Sequence, residues 1–194
     1  MSARRNVSMF GASAAEGGEG LMAVAEALGR AFAERGWTLV NGGYGGTMLA
    51  GARGARGAGG RTIGVTCSIF KSPANEFISE IVTTRDLYER LRAIVELGDA
   101  YLVLPGSTGT LAELALVWEL VNKRMIPRRP ILCWGDTWRP LVRIFAGDST
   151  RDLRIDSSAL PDRRVELIEF VDSPQEAVAT IARAFAFNAS ASKG

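Results

Sequence analysis

The pattern of the chain specifies an α/β protein, a three-layer sandwich with a mostly parallel sheet in a single domain. Three features point there. Short apolar runs alternate with helix-period segments along the chain. Each run leads into a turn of small residues before the next helix begins. The 194 residues, 47% hydrophobic and 23% charged, suit one sizeable core. Repeated strand–turn–helix units give parallel strands with helices on both faces. Right-handed crossovers then bring every strand-to-helix turn to one edge of the sheet. Ligands of such folds bind at that edge, where the strand order reverses.

Residues 6–10 form the first strand and lead into Gly11, Ala12 and Ser13. Leu21, Val24, Ala25, Leu28 and Phe32 then recur at helical spacing, and Gly36 closes that helix. Residues 37–40 are the second strand, followed by the glycine turn 41–46. Residues 47–58, rich in alanine and glycine, read as a helix that lets its neighbours pack close. Residues 61–66 are a third strand, and 78–83 are the candidate for a short fourth. Asp86, with Glu89 three residues on, opens a helix by a capping box. Residues 100–104 are a buried strand entering the turn 105–110. Leu111, Leu114, Ala115, Trp118 and Val121 mark the helix that follows. A strand at 130–134 and a helix at 138–145 come next. Residues 147–164 are polar and aperiodic and read as an exposed connection. Residues 165–171 are the last strand, and Ser173 with Pro174 starts the last helix. The domain is expected to span 1–187, with 188–194 a disordered tail. Trp118 and Trp134 belong either to the core or to an interface.

Composition removes whole classes of chemistry. The chain has no histidine, so Ser-His-Asp hydrolysis, Cys-His proteolysis and His-ligated zinc or haem are out. Cys67 and Cys133 form no CxxC pair, which argues against a disulfide framework or a thiolate metal site and fits a reducing, cytoplasmic setting. Three lysines leave 20 of the 23 cations to arginine, the fork-shaped donor for carboxylates and phosphates. A coding bias would produce the same excess. A net charge of +2 offers no concentrated basic face for nucleic acid. No apolar run approaches the roughly 20 residues of a membrane span, and the apolar stretch near the N-terminus is too short for a secretory signal. The expected partner is a small molecule.

Three glycine-containing turns follow strands and therefore face one crevice. They carry Gly11 and Ser13; Gly42 and Gly43; and Gly106, Ser107, Thr108, Gly109 and Thr110. Glycine lets the backbone approach a ligand, and N–H groups at a helix start attract anions. Tight strand-to-helix turns use glycine in any case, so the weight lies in the three together. A phosphate or phosphorylated sugar is the natural guest. The G-x-G-x-x-G and G-x-x-x-x-G-K-[ST] fingerprints are both missing, which disfavours dinucleotide redox chemistry and P-loop nucleotide hydrolysis.

Two charged residues stand out beside these turns. Thr110 and Glu113 match a capping box, so Glu113 either caps its helix or is a carboxylate held at the crevice; both readings can hold. In the first turn the helix dipole favours its ionised form, suited to stabilising an oxocarbenium-like ribosyl centre. Arg90 lies beside the apolar stripe of Leu87, Leu91 and Ile94, whereas Arg92 points away. It either pairs with a structural acid or reaches a ligand. Arg85, just before this helix, is a weaker candidate of the same kind.

The nine residues Pro105-Gly-Ser-Thr-Gly-Thr-Leu-Ala-Glu113 closely resemble the PGGxGTxxE motif of the LONELY GUY family, the cytokinin-activating phosphoribohydrolases once labelled lysine decarboxylases. Residues 27–36, 39–43, 60–65 and 86–90 are similar to that family's first helix, second and third strands and arginine-bearing segment. The resemblance implies a Rossmann-like homodimer. It implies hydrolysis of the N-glycosidic bond of a nucleoside 5′-monophosphate to free base and ribose 5-phosphate. Arg90 and Glu113 would be the catalytic pair and residues 106–110 the phosphate turn, with no metal or organic cofactor. A decarboxylase would be expected to hold pyridoxal phosphate on a lysine, and no lysine falls on a glycine turn. The chain departs from the family pattern at Ser107, where the motif has its second glycine, at Leu91 in place of lysine and at Tyr88 in place of histidine. Nucleotide- or molybdenum-cofactor-binding carriers look similar, and binding without hydrolysis is the alternative.

Overall fold

Short apolar runs, most of them buried on both faces, assemble into one sheet among the described residues. The computed structural model describes residues 4–13, 18–148 and 167–191. Its elements are β1 (Asn6–Phe10), α1 (Gly18–Glu34), β2 (Thr38–Asn41), α2 (Thr47–Gly57), β3 (Thr62–Cys67), β4 (Glu80–Thr84), α3 (Leu87–Leu97), β5 (Ala100–Val103), α4 (Thr108–Asn122), β6 (Ile131–Trp134), α5 (Arg139–Arg143) with a π-helical turn at Ile144–Asp148, β7 (Ile168–Val171) and α6 (Pro174–Ala191). The seven strands run in the order β4-β3-β2-β1-β5-β6-β7, and every neighbouring pair is parallel. The α/β class, the parallel sheet and the single domain expected from the sequence are what the chain forms.

Alternate side chains of each strand face opposite layers. Val7, Met9, Leu39 and Leu102 pack under α1, α2 and α6, against Leu28, Phe32 and Ile181. Phe10, Val40, Tyr101 and Val103 pack on the other side against Ile94, Leu114, Val117 and Trp138 of the second helical layer. The two clusters are the two interfaces of a three-layer sandwich. Trp118 is buried in the second cluster and Trp134 packs against the first. The Trp138 indole donates to the Leu104 carbonyl at 3.1 Å, tying α5 to the end of β5.

Three expectations meet the edge of the described residues or fail. Most of the connection at 147–164, and residues 165–166 of the expected last strand, lie outside the described residues. At the C-terminus, α6 continues through residue 191, so the helix takes in the first four residues of the expected tail. Residues 188–191 are Asn-Ala-Ser-Ala, with no glycine or proline to stop a helix, and the Asn188 amide donates to the Arg128 carbonyl at 3.3 Å.

The small residues of α1 and α2 let the two helices touch backbone to backbone. A Cβ placed on Gly54 would sit 1.9 Å from the Glu26 carbonyl oxygen, and one on Gly29 would sit 2.0 Å from the Gly51 carbonyl oxygen. In an exposed helix Gly→Ala gains about 1 kcal/mol. Here overpacking, typically about 1–3 kcal/mol, reverses the sign. Gly54→Ala is expected to lower the urea midpoint; a raised midpoint would mean that the helices do not make this contact.

Candidate functional site

The strand order turns at β1, which has β2 on one side and β5 on the other. At the carboxyl ends of these strands opens a cavity of about 900 Å³. Gly11 and Ser13 reach it from β1, Gly42 from β2, and Ser107, Gly109 and Thr110 from the turn after β5. Arg90 of α3 and Glu113 of α4 border it as well. Three of the expected phosphate residues do not border it. Gly43 donates its N–H to Asn41 Oδ1 at 2.8 Å and rests on Gly64. Gly106 lies against the Thr110 side chain, and Thr108 is the exposed first residue of α4.

The start of α3 explains why Arg90 points inward and Arg85 does not. Asp86 caps the helix by accepting the Glu89 N–H at 2.8 Å. Glu89 in turn accepts from the Arg85 backbone N–H at 2.8 Å and from its Nε at 3.1 Å. Arg85 is thereby tied to its own helix start, on the exposed side. One turn further on, Arg90 is 8% exposed. Its Nε donates to the Val65 carbonyl at 2.9 Å, and its Nη1 stands 3.5 Å from Glu113 Oε1. The guanidinium passes so close to Gly42 that a Cβ there would lie 2.0 Å from Nη2. Only glycine admits it.

Glu113 differs from the expectation in two respects. Ser107 is the residue before α4, so Thr110 is the third helical residue and Glu113 the sixth. The capping-box reading therefore falls, because Glu113 stands a turn too deep to reach the helix start. The dipole acts mainly within the first turn, so it does little for this carboxylate. Burial dominates instead and pushes the carboxyl from 4.5 up to about 7, with the Arg90 charge pulling against it. At neutral pH the group is poised between its two forms rather than held ionised.

Sequence reading missed part of the wall. Tyr44, Ile69, Phe70, Lys71, Asn75 and Leu87 also line the cavity. Tyr44 sits inside a glycine turn and Asn75 in a stretch without periodicity, so neither carried a signal of its own. The departures at Tyr88 and Leu91 lie outside the cavity lining, Tyr88 exposed and Leu91 half-buried, whereas Ser107 borders it. Among the described residues no group of three or more Cys, Asp or Glu side chains is arranged to hold a metal ion.

With this geometry in place, the match of residues 4–131 to the model of the SLOG cluster4 family is decisive. The chain belongs to the SLOG cluster4 family. The LONELY GUY resemblance of the nine-residue motif agrees with curated relatives. A protein of Mycobacterium tuberculosis named cytokinin riboside 5′-monophosphate phosphoribohydrolase is 40% identical over 101 residues, 50% of this chain and 54% of that protein. One of the same name from Rhodococcoides fascians is 32% identical over 127 residues, 61% of this chain and 63% of that protein. This SLOG cluster4 chain thus matches about half to under two thirds of the relatives' length. The molybdenum cofactor binding protein of Rippkaea orientalis superposes with a TM-score of 0.71 over 94% of this chain and 98% of its own, at 21% identity, which shows a shared fold. No helix among the described residues is long and apolar enough to cross a membrane.

The raised Glu113 value has a defined consequence for stability. An acid whose folded-state pKa lies above its unfolded value holds its proton more tightly when folded. Its contribution is intact below about pH 4.5 and is lost as pH rises through about 7. Glu113→Gln removes this slope while adding a pH-independent cost from the unpaired Arg90. Urea melts from pH 4.5 to 8 are expected to show the stability difference moving in favour of the variant as pH rises. Parallel curves would mean that the carboxyl titrates normally.

Proposed function

We propose that this chain hydrolyses the N-glycosidic bond of a nucleoside 5′-monophosphate, of the AMP or cytokinin riboside monophosphate type, to free base and ribose 5-phosphate. One observation carries the reading: a buried arginine–glutamate pair borders a cavity that also takes in the first turn of α4. The activity named for the Mycobacterium tuberculosis relative supports it.

The substrate phosphate lies against the N–H groups that open α4, where the helix presents partial positive charge. The ribose then falls between that turn and Glu113. As the C1′–N bond breaks, its electron pair leaves with the base, which takes up a proton from solvent. Positive charge develops across C1′ and the ring oxygen, and the ionised Glu113 stabilises it. Water adds to C1′ and gives up its proton, which a carboxylate with a pKa of about 7 can accept. Arg90 supplies the charge that opposes burial and keeps the ionised form of Glu113 accessible beside an anionic substrate. The working form is a homodimer, with the solvent-facing Ile69, Phe70, Leu87 and Tyr88 available as an apolar contact surface.

A second reading is binding of a nucleotide or molybdenum cofactor without turnover. Ser107 favours it, because its side chain borders the cavity where the family motif has glycine.

Purified protein incubated with AMP and isopentenyl-AMP is expected to release free base. Arg90→Ala and Glu113→Gln are each expected to lower kcat by about a hundredfold or more, the usual effect of removing one stabilising group at a charged transition state. No release at high enzyme, with tight binding by calorimetry, would leave the carrier reading. Light scattering is expected to give twice 20.8 kDa, and a concentration-independent mass of 20.8 kDa excludes the dimer.

A further inference from the structure

β3 reaches further toward the site than β2 does. The β2–β3 ladder stops at Asn41 and Gly64, whereas β3 continues to Cys67 and stays paired with β4 as far as Thr84. On the β2 side, the Val65 carbonyl and the polar groups of Cys67 lie beyond the end of that ladder and have no strand to meet. Two side chains replace it. The Val65 carbonyl accepts the Arg90 Nε–H at 2.9 Å. The Cys67 N–H donates to the Tyr44 hydroxyl at 2.8 Å, and that hydroxyl donates to the Cys67 carbonyl at 3.3 Å.

Tyr44 is well placed to act on Arg90. Its ring centroid lies 5.9 Å from the guanidinium carbon, near the outer limit of about 6 Å for a cation–π contact, so it orients the group more than it binds it. The ring meets Phe70 edge-on at 5.8 Å. Its backbone is held from the facing loop, where the Asn75 amide donates to the carbonyls of Gly43 at 3.1 Å and Tyr44 at 2.8 Å. The tyrosine is only half-buried and borders the cavity, a place where a purely structural tie has no need of a ring.

We propose that Tyr44 is a positioning residue for Arg90: its hydroxyl closes the open end of β3 while its ring backs the guanidinium, and together they set the angle at which Arg90 meets Glu113. This deepens the hydrolase reading and rests on it for its kinetic consequence. Misplacing a charged group by about 1 Å can cost about a hundredfold in rate.

The test compares Tyr44→Phe, which keeps the ring, with Tyr44→Leu, which keeps neither function. Both are first checked for a cooperative melt, and Tyr44→Phe carries the test if Tyr44→Leu fails it. With AMP, kcat is expected to fall roughly ten- to hundredfold while KM changes little. The pH midpoint of kcat that reports Glu113 should also move upward. Arg90, on α3, is the charged side chain acting on Glu113 among the described residues, and a displaced guanidinium opposes burial less. Arginine-labelled protein gives a readout that needs no turnover. The Arg90 Nε–H resonance, identified by its loss in Arg90→Lys, is expected to exchange with water faster in both variants than in the parent. Unchanged exchange in the variants overturns the positioning role, even if kcat falls, since the tyrosine then acts on substrate directly. Faster exchange in variants of a parent that releases no base upholds the positioning role and removes the hydrolase reading instead.

Discussion

A guanidinium and a carboxylate buried together at the end of a parallel sheet are the constraint around which this edge of the protein is built. Taking two charges out of water costs several kcal/mol per ion unless each finds partners. Arg90 finds the Val65 carbonyl and Glu113. Each partner demands something of the backbone. Val65 must have a free carbonyl, so β2 must end early. Residue 42 must have no side chain, because any Cβ would overlap Nη2. Asp86 must start α3 at the register that turns residue 90 inward. Three features that look unrelated along the chain thus serve one side chain.

The same edge joins the chemistry to the fold. β1 and β5 lie at the centre of the sheet, and the turns that follow them are tied to each other by the Ala12 N–H donating to the Pro105 carbonyl at 3.3 Å. The start of α2 joins them, since both the N–H and the hydroxyl of Thr47 donate to the Ala12 carbonyl. This wall of the cavity is therefore fixed to buried central strands, where local opening requires a large loss of packing. The loop after β3 is tied in by Asn75 and completes the apolar side of the cavity.

Much of this was legible in the sequence because period and turn chemistry are local properties. Strand–turn–helix repetition gave the sheet and the edge at which Arg90 and Glu113 meet, and the Asp86–Glu89 spacing gave the start of α3. What escaped depends on where elements stop relative to one another. Thr110 and Glu113 have capping-box spacing, yet α4 begins at Thr108, three residues before that pattern allows. Tyr44 is one residue in a glycine turn, and its role exists only because β2 and β3 differ in length. The helix runs on past residue 187 because nothing among residues 188–191 breaks it, although polar Asn188 and Ser190 look like loop residues. Gly43 and Gly106 follow the turn pattern as well as Gly42 does, but their neighbours are Gly64 and Thr110 rather than the cavity.

The length of the Arg90–Glu113 contact bears on what the pair can do. A charge-assisted N–H···O bond is about 2.7–2.9 Å long, and a carboxylate gripped that way in both lone-pair directions is held low in pKa. Here the single Nη1–Oε1 separation is 3.5 Å, and burial wins over attraction, leaving the carboxyl at about 7. The geometry and the titration describe one compromise. A tighter pair would fix the charge of Glu113 and occupy its oxygens; an absent pair would leave it protonated at its buried position. Holding Arg90 back on the Val65 carbonyl keeps Glu113 within reach of both protonation states and leaves its oxygens open toward the cavity. In the proposed hydrolysis, a group that faces a developing cation and then takes up a proton requires that intermediate setting, and the β3 backbone provides it through Arg90.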